Sequence, residues 1–107
     1  MNSPNLDLQF HALSDATRRA LVERLSHGPT SVTELAEPMA VSLPTVLKHL
    51  AILEAGSIVT SEKQGRVRTF RVAPDAFADL ERWMDERKRM WNRRFDKLEQ
   101  YLDGEST

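Results

Sequence analysis

The chain has 107 residues, 40% apolar and 29% charged, with no cysteine and a formal net charge of -1. That length fits one domain with a modest core, and the balance is that of a soluble globular protein. Disulfides, thiolate metal ligands and thiol redox chemistry are excluded, and the total charge carries no polyanion-binding signal.

The opening stretch MNSPNLDLQFHALSD has no basic start followed by an apolar run, so no signal peptide is expected there. No run approaches the roughly 18 apolar residues of a membrane span, and a cytoplasmic location is the expectation. Leu6–Ala12 reads as a short helix. Ser14 is expected to cap the next helix, with Asp15 in its first turn. Leu13, Leu21, Val22 and Leu25 form its apolar stripe, and Gly28-Pro29 ends it. Ser31 and Glu34 have capping-box spacing ahead of a helix over Val32–Glu37, which Pro38 stops. Ala40-Val41 turn the chain. Ser42 is a good N-cap for the helix SLPTVLKHLAILEAG, with Pro44 inside its first turn.

On a wheel of about 100° per residue, Val46, Leu50 and Leu53 fall together. Leu43 and Leu47 flank them, so five residues are predicted to form a buried stripe. Pro44, Thr45, Lys48 and Ala51 fall opposite, with His49 at the boundary. This outer face is small and free of acid until Glu54, whereas an ordinary solvated face carries more charge. Such a face suits close approach to a major groove, and the free amides at the helix start suit a phosphate. The plain alternative is a core helix.

After Gly56 the period falls from about 3.6 to 2. SIVTSEK and RVRTFRV read as strands, with Gln64-Gly65 as the hairpin tip and Arg66 and Arg68 on one face. Val67, Phe70 and Val72 are its apolar positions. From Ser42 to Val72 there are five bases against two acids, a local charge of +3 within a nearly neutral chain. Charge on an exposed strand also protects an edge, but that reading explains its sign less well.

Pro74-Asp75 is expected to open a last helix running to about Leu102, roughly 40 Å at 1.5 Å per residue. Phe77, Leu80, Met84, Trp91, Phe95, Leu98 and Leu102 form one apolar stripe, broadened by Trp83, Met90 and Tyr101. A chain this small cannot easily cover it all, so a second copy is the expected partner. Arg87 and Arg94 lie in or beside the stripe and need acidic partners, such as Asp7 or Asp15, or a path to solvent. The expected organisation is mainly α with a β-hairpin: four helices, a hairpin and a long helix in one domain over residues 1–103, with 104–107 frayed.

A short helix, a tight break, a second helix and a basic hairpin form a fairly specific combination. LSDATRRALVERL and ELAEPMAVSLPTVLKHLAILEAGSIVTSEKQGRVRTFRVAP resemble the ArsR/SmtB-type winged helix-turn-helix transcriptional regulators, over roughly Leu8 to Asp85. The resemblance implies a dimeric DNA-binding repressor that recognises an inverted repeat near a promoter. It implies that the 42–54 helix enters the major groove, that the hairpin is a wing, and that the first and last helices dimerise. Leu6, Leu8 and Phe10 would then join the stripe of the last helix. The family often has a serine where this chain has Leu47.

The DNA-contact candidates are Ser42, Thr45, Lys48 and His49 on the helix and Lys63, Gln64, Arg66 and Arg68 on the wing. Lys48 suits a base edge or phosphate, Thr45 a base edge or thymine methyl, and His49 a phosphate. Their plain readings are a solvated lysine, a helix-surface threonine and a packing histidine. Arg71 is expected to pair within the protein. The family's metal sites have no counterpart: Glu34-Leu35-Ala36-Glu37-Pro38 lacks the two cysteines of an ELCxC-like pattern, and the last helix has no histidine. No metal or other cofactor is expected. No glycine-rich phosphate loop or HExxH is present, so no enzyme is expected. The alternative function is a protein-interaction or dimerisation module that reuses this fold without reading DNA.

Overall fold

The computed structural model describes residues 4–105. The elements are α1 (Pro4–Leu13), α2 (Ala16–Leu25), β1 (Thr30–Ser31), α3 (Val32–Ala36), α4 (Leu43–Ala55), β2 (Val59–Gln64), β3 (Val67–Val72) and α5 (Ala78–Glu105). The chain divides into two units, one up to Phe77 and one from Ala78 onward. The architecture is a winged helix-turn-helix, as the sequence reading expects.

The first unit is built on leucine and valine. Leu21, Val22 and Leu25 of α2, Leu35 of α3, and Val46, Leu50 and Leu53 of α4 are buried with Ile58, Val59 and Phe70. Removing such side chains from water is the main stabilising contribution, at about 1.5–3 kcal/mol for each large one. Helix α4 packs against α1, α2, α3 and β2, so its inner face is fixed from several sides.

Several local expectations change. Asp15, not Ser14, caps α2: its carboxylate accepts the Arg18 N–H at 3.0 Å, while the Ser14 hydroxyl donates back to His11 O. An aspartate at that place also meets the positive end of the helix dipole. Ser31 caps α3 as expected, accepting the Glu34 N–H. Its hydroxyl donates to the Glu34 side chain at 3.0 Å, so that carboxylate answers the hydroxyl. Ser42 caps α4, accepting the Thr45 N–H.

The hairpin carries a third strand. Strand β1 pairs antiparallel with β3, giving the order β1-β3-β2. Gln64 is paired with Val67, so the two-residue tip is Gly65-Arg66 rather than Gln64-Gly65. Gly65 has φ +64 and Arg66 is not left-handed, which fits the II′ pattern with glycine at the first loop position. Arg66 therefore stands on the turn and does not share a strand face with Arg68.

Helix α4 ends in a Schellman arrangement, with Ile58 N–H donating to Leu53 O and Ser57 N–H to Glu54 O, both at 3.0 Å. The left-handed residue is Ser57, at φ +60. Gly56 meets a different need, because a Cβ there would lie 3.3 Å from the Leu8 carbonyl oxygen of α1. Beside it, the buried Gln9 amide donates to Gly56 O at 2.9 Å and to Ala76 O at 3.0 Å.

Helix α5 begins at Ala78, after turns spanning Pro74–Phe77. Phe77 packs against the core of its own unit and Leu80 is buried in the single chain. From Glu81 to Gly104 every residue is exposed. Among the described residues no helix is long and apolar enough to cross a membrane.

Candidate nucleic-acid interface

Helix α4 presents two different sides. Val46, Leu50 and Leu53 are fully buried. Leu43 and Leu47, expected to widen that stripe, are exposed instead, Leu47 at 40%. The elements around α4 cover only the narrow sector holding the first three residues, and the flanking leucines stand outside it. Ser42, Pro44, Lys48 and Ala51 are exposed and Thr45 is half-buried. The Ser42 and Thr45 hydroxyls are 2.9 Å apart. The open side is thus a small surface of hydroxyls, two leucines and one lysine, without acid before Glu54.

The hairpin supplies most of the cationic groups. Register sets Lys63 directly opposite Arg68. Like charges at such a position repel and weaken the pair. An anion between or beside them reverses the sign of that term. The Arg68 guanidinium donates to Ser61 Oγ at 2.8 Å, which holds the long side chain along the sheet and leaves its other donors free. Arg71 is not a free cation: it pairs with Glu62 at 3.4 Å, as expected. Lys48, Lys63 and Arg66 have no hydrogen bond or ion pair among the described residues and are exposed. Gln64 is exposed and belongs to the last pair of the ladder.

His49 is placed otherwise than a simple phosphate ligand. It is half-buried, and its Nδ1 lies 3.2 Å from Arg18 Nη1 and 4.0 Å from Asp15. Arg18 is only 7% exposed. Its Nε donates to Ala12 O at 2.7 Å and its Nη2 to His11 O at 3.0 Å. From the sequence alone Arg18 carries no assigned role. The available signal was its phase, since it stands three, four and seven residues before Leu21, Val22 and Leu25 on the buried side of α2. The Arg18 N–H, and then its guanidinium, hold the Asp15 carboxyl below the usual carboxylate range against the opposing pull of burial.

The second unit carries no comparable core. Along α5, Met84, Arg87, Trp91, Arg94, Phe95, Leu98 and Leu102 are exposed, with Trp91 at 68%. In α1, Leu8 and Phe10 are exposed and Leu6 is half-buried. Within α5, Arg87 makes its contacts with near neighbours. It lies over the Trp83 ring, 5.5 Å from its centroid, and 3.7 Å from Glu86. Arg94 has no ion pair among the described residues. Phe77 and Leu80, expected in the same stripe, are half-buried and buried respectively.

Comparison with known proteins agrees with this fold. A helix-turn-helix domain model matches residues 13–62. The chain is 39% identical over 99 residues to the HTH-type transcriptional regulator Rv2034 of Mycobacterium tuberculosis, spanning 92% of this chain and 90% of that protein. It is 32% identical over 78 residues to the arsenical resistance operon repressor of Escherichia coli, spanning 72% and 67% of the two. The crystal structure of an ArsR family transcriptional regulator, RHA00566, superposes with a TM-score of 0.80 at 40% identity, covering 86% of this chain and 95% of that one. With α4 and the basic hairpin in the arrangement described, the chain belongs to the ArsR family of helix-turn-helix, DNA-binding transcriptional regulators.

Proposed function

We propose that the chain is a homodimeric repressor, acting in the cytoplasm, that binds an inverted repeat near a promoter without a metal or other cofactor. Helix α4 lies in the major groove of each half-site. Ser42 and His49 contact phosphate, Thr45 and Lys48 meet base edges or nearby phosphate, and Leu43 and Leu47 cover thymine methyl groups. The wing residues Lys63, Gln64, Arg66 and Arg68 follow the flanking backbone or minor groove. A second copy covers the exposed apolar faces of α1 and α5, including Leu6, Leu8, Phe10, Met84, Arg87, Trp91, Arg94, Phe95, Leu98 and Leu102. Repression is the role named for the Escherichia coli relative.

One observation carries the reading of DNA. In α4 the inner residues are wholly buried, while a compact, nearly acid-free side remains open. A helix held this firmly fixes the position of whatever that open side meets. The test is selection from a pool of random duplexes with chelator present, followed by titration at about 50 and 200 mM salt. The expected result is enrichment of an inverted repeat, bound without metal and more weakly at the higher salt. An unenriched pool, or a requirement for added metal, contradicts it.

A further inference from the structure

We propose that Arg18 is a positioning residue for DNA binding: its buried guanidinium holds the His49 imidazole so that Nε2–H points to a DNA phosphate. The inference rests on α4 lying against DNA, as proposed above.

Three donors of one side chain converge on this task. Two reach Ala12 O and His11 O. These are carbonyls of the last turn of α1, which lack partners within the helix. The third reaches His49 Nδ1 at 3.2 Å. One planar group thus joins the end of α1, the start of α2 and the middle of α4. Its rigid fork carries these directions from one element to the next.

The third contact fixes the tautomer. A guanidinium has donors only and keeps its charge. His49 Nδ1 must therefore offer its lone pair. Asp15 lies 4.0 Å from the same nitrogen, and pairing with it would require a proton there. At that distance there is no hydrogen bond, so the nearer Arg18 contact decides. A neutral imidazole has one ring proton, and with Nδ1 accepting it sits on Nε2.

Nε2 is free to use that proton. No described residue accepts a hydrogen bond from it. Among the described residues, Gln9 Oε1 is the sole buried side-chain polar atom without a partner. Nε2 therefore reaches solvent. It does so one residue after Lys48, at the border between the buried and open sides of α4. A neutral N–H there adds a hydrogen bond to phosphate and fixes the depth of the helix. It releases no counterion, so it leaves the salt dependence unchanged, unlike a lysine or arginine contact.

The test uses the whole chain, a selected duplex and a pH of about 8, where an ordinary imidazole is neutral. Asparagine places its amide no farther out than Nδ1, whereas glutamine reaches about as far as Nε2. His49→Asn is expected to bind about tenfold more weakly, with the same slope of affinity against salt. His49→Gln stays within about threefold of the parent. Arg18→Met loses about as much as His49→Asn, and the two losses do not add when combined. Nitrogen NMR of the free chain shows the ring proton on Nε2, a preference that weakens in Arg18→Met. If Arg18→Met does not fold, the two His49 variants and the NMR of the parent still decide. A proton on Nδ1, or parental binding by His49→Asn, overturns the proposal. A parent chain that binds no sequence removes the DNA reading itself, whereas a binding parent with an indifferent His49→Asn removes this role alone.

Discussion

Helices α4 and α5 are both amphipathic, and they meet water in opposite ways. In α4, 13 residues long, the three innermost apolar side chains vanish completely into the core, and what remains outside is small and open. In α5, 28 residues long, the apolar stripe itself is outside, and every residue from Glu81 to Gly104 is exposed. The first helix is finished within one chain and has a surface to spare. The second is unfinished within one chain. A helix with an apolar stripe and no cover calls for a partner, and the proposed partner is a second copy.

The largest effect is expected where the unfinished helix is broken. Replacing Trp91 and Phe95 together by glutamate leaves the residues up to Phe77 folded but produces monomers in sedimentation. Affinity for the inverted repeat then falls about 100-fold or more, because the two half-sites are no longer bound as a unit. An unchanged mass places the partner surface elsewhere. On the finished helix, Lys48→Ala is expected to cost about tenfold in affinity, read by titration on the selected duplex. Arg68→Ala acts differently. It makes the slope of log affinity against log salt shallower by about 1.8, for one phosphate lost at each of two wings. Equal slopes contradict a phosphate contact by Arg68.

How much of this comparison the sequence carried differs by element. The caps Ser31 and Ser42, the core side of α4 and the hairpin were legible, because each rests on local spacing. Strand β1 was not: two residues, Thr30 and Ser31, show no period, and only pairing with β3 defines them. The wheel placed Leu43 and Leu47 beside the core but could not tell how wide a sector the neighbours cover. Arg18 and Gln9 were hidden for a common reason. Each is a polar residue on an inward helical face, and its partners are backbone carbonyls beyond its own turn of helix. The stripe of the last helix was legible as apolar, and of its first two expected members Phe77 is half-buried just ahead of α5 and Leu80 is buried.

Smaller effects sharpen the same contrast by testing how firmly α4 is held. Gly56→Ala is expected to lower stability by about 1 kcal/mol, since the added carbon presses on the α1 backbone. Its neighbour behaves in the opposite way. Ser57→Gly relieves a left-handed backbone and raises stability by up to about 1 kcal/mol in thermal unfolding. Asp15 adds a dependence on acidity. Its folded pKa is lowered from the ordinary 3.8, so its contribution is full above that value and fades as pH falls through the lower folded one. Asp15→Asn keeps a capping side chain and should flatten the acid limb of the stability curve below about pH 4.

The central claim is that α5 joins two copies so that two α4 helices meet one operator. Its most direct test is the mass of the complex on the selected duplex, with the spacing between half-sites varied. The account predicts two chains per inverted repeat, and tight binding only when half-site centres lie about one helical turn, or a multiple of it, apart. One chain per duplex, or binding indifferent to the spacing, would contradict it.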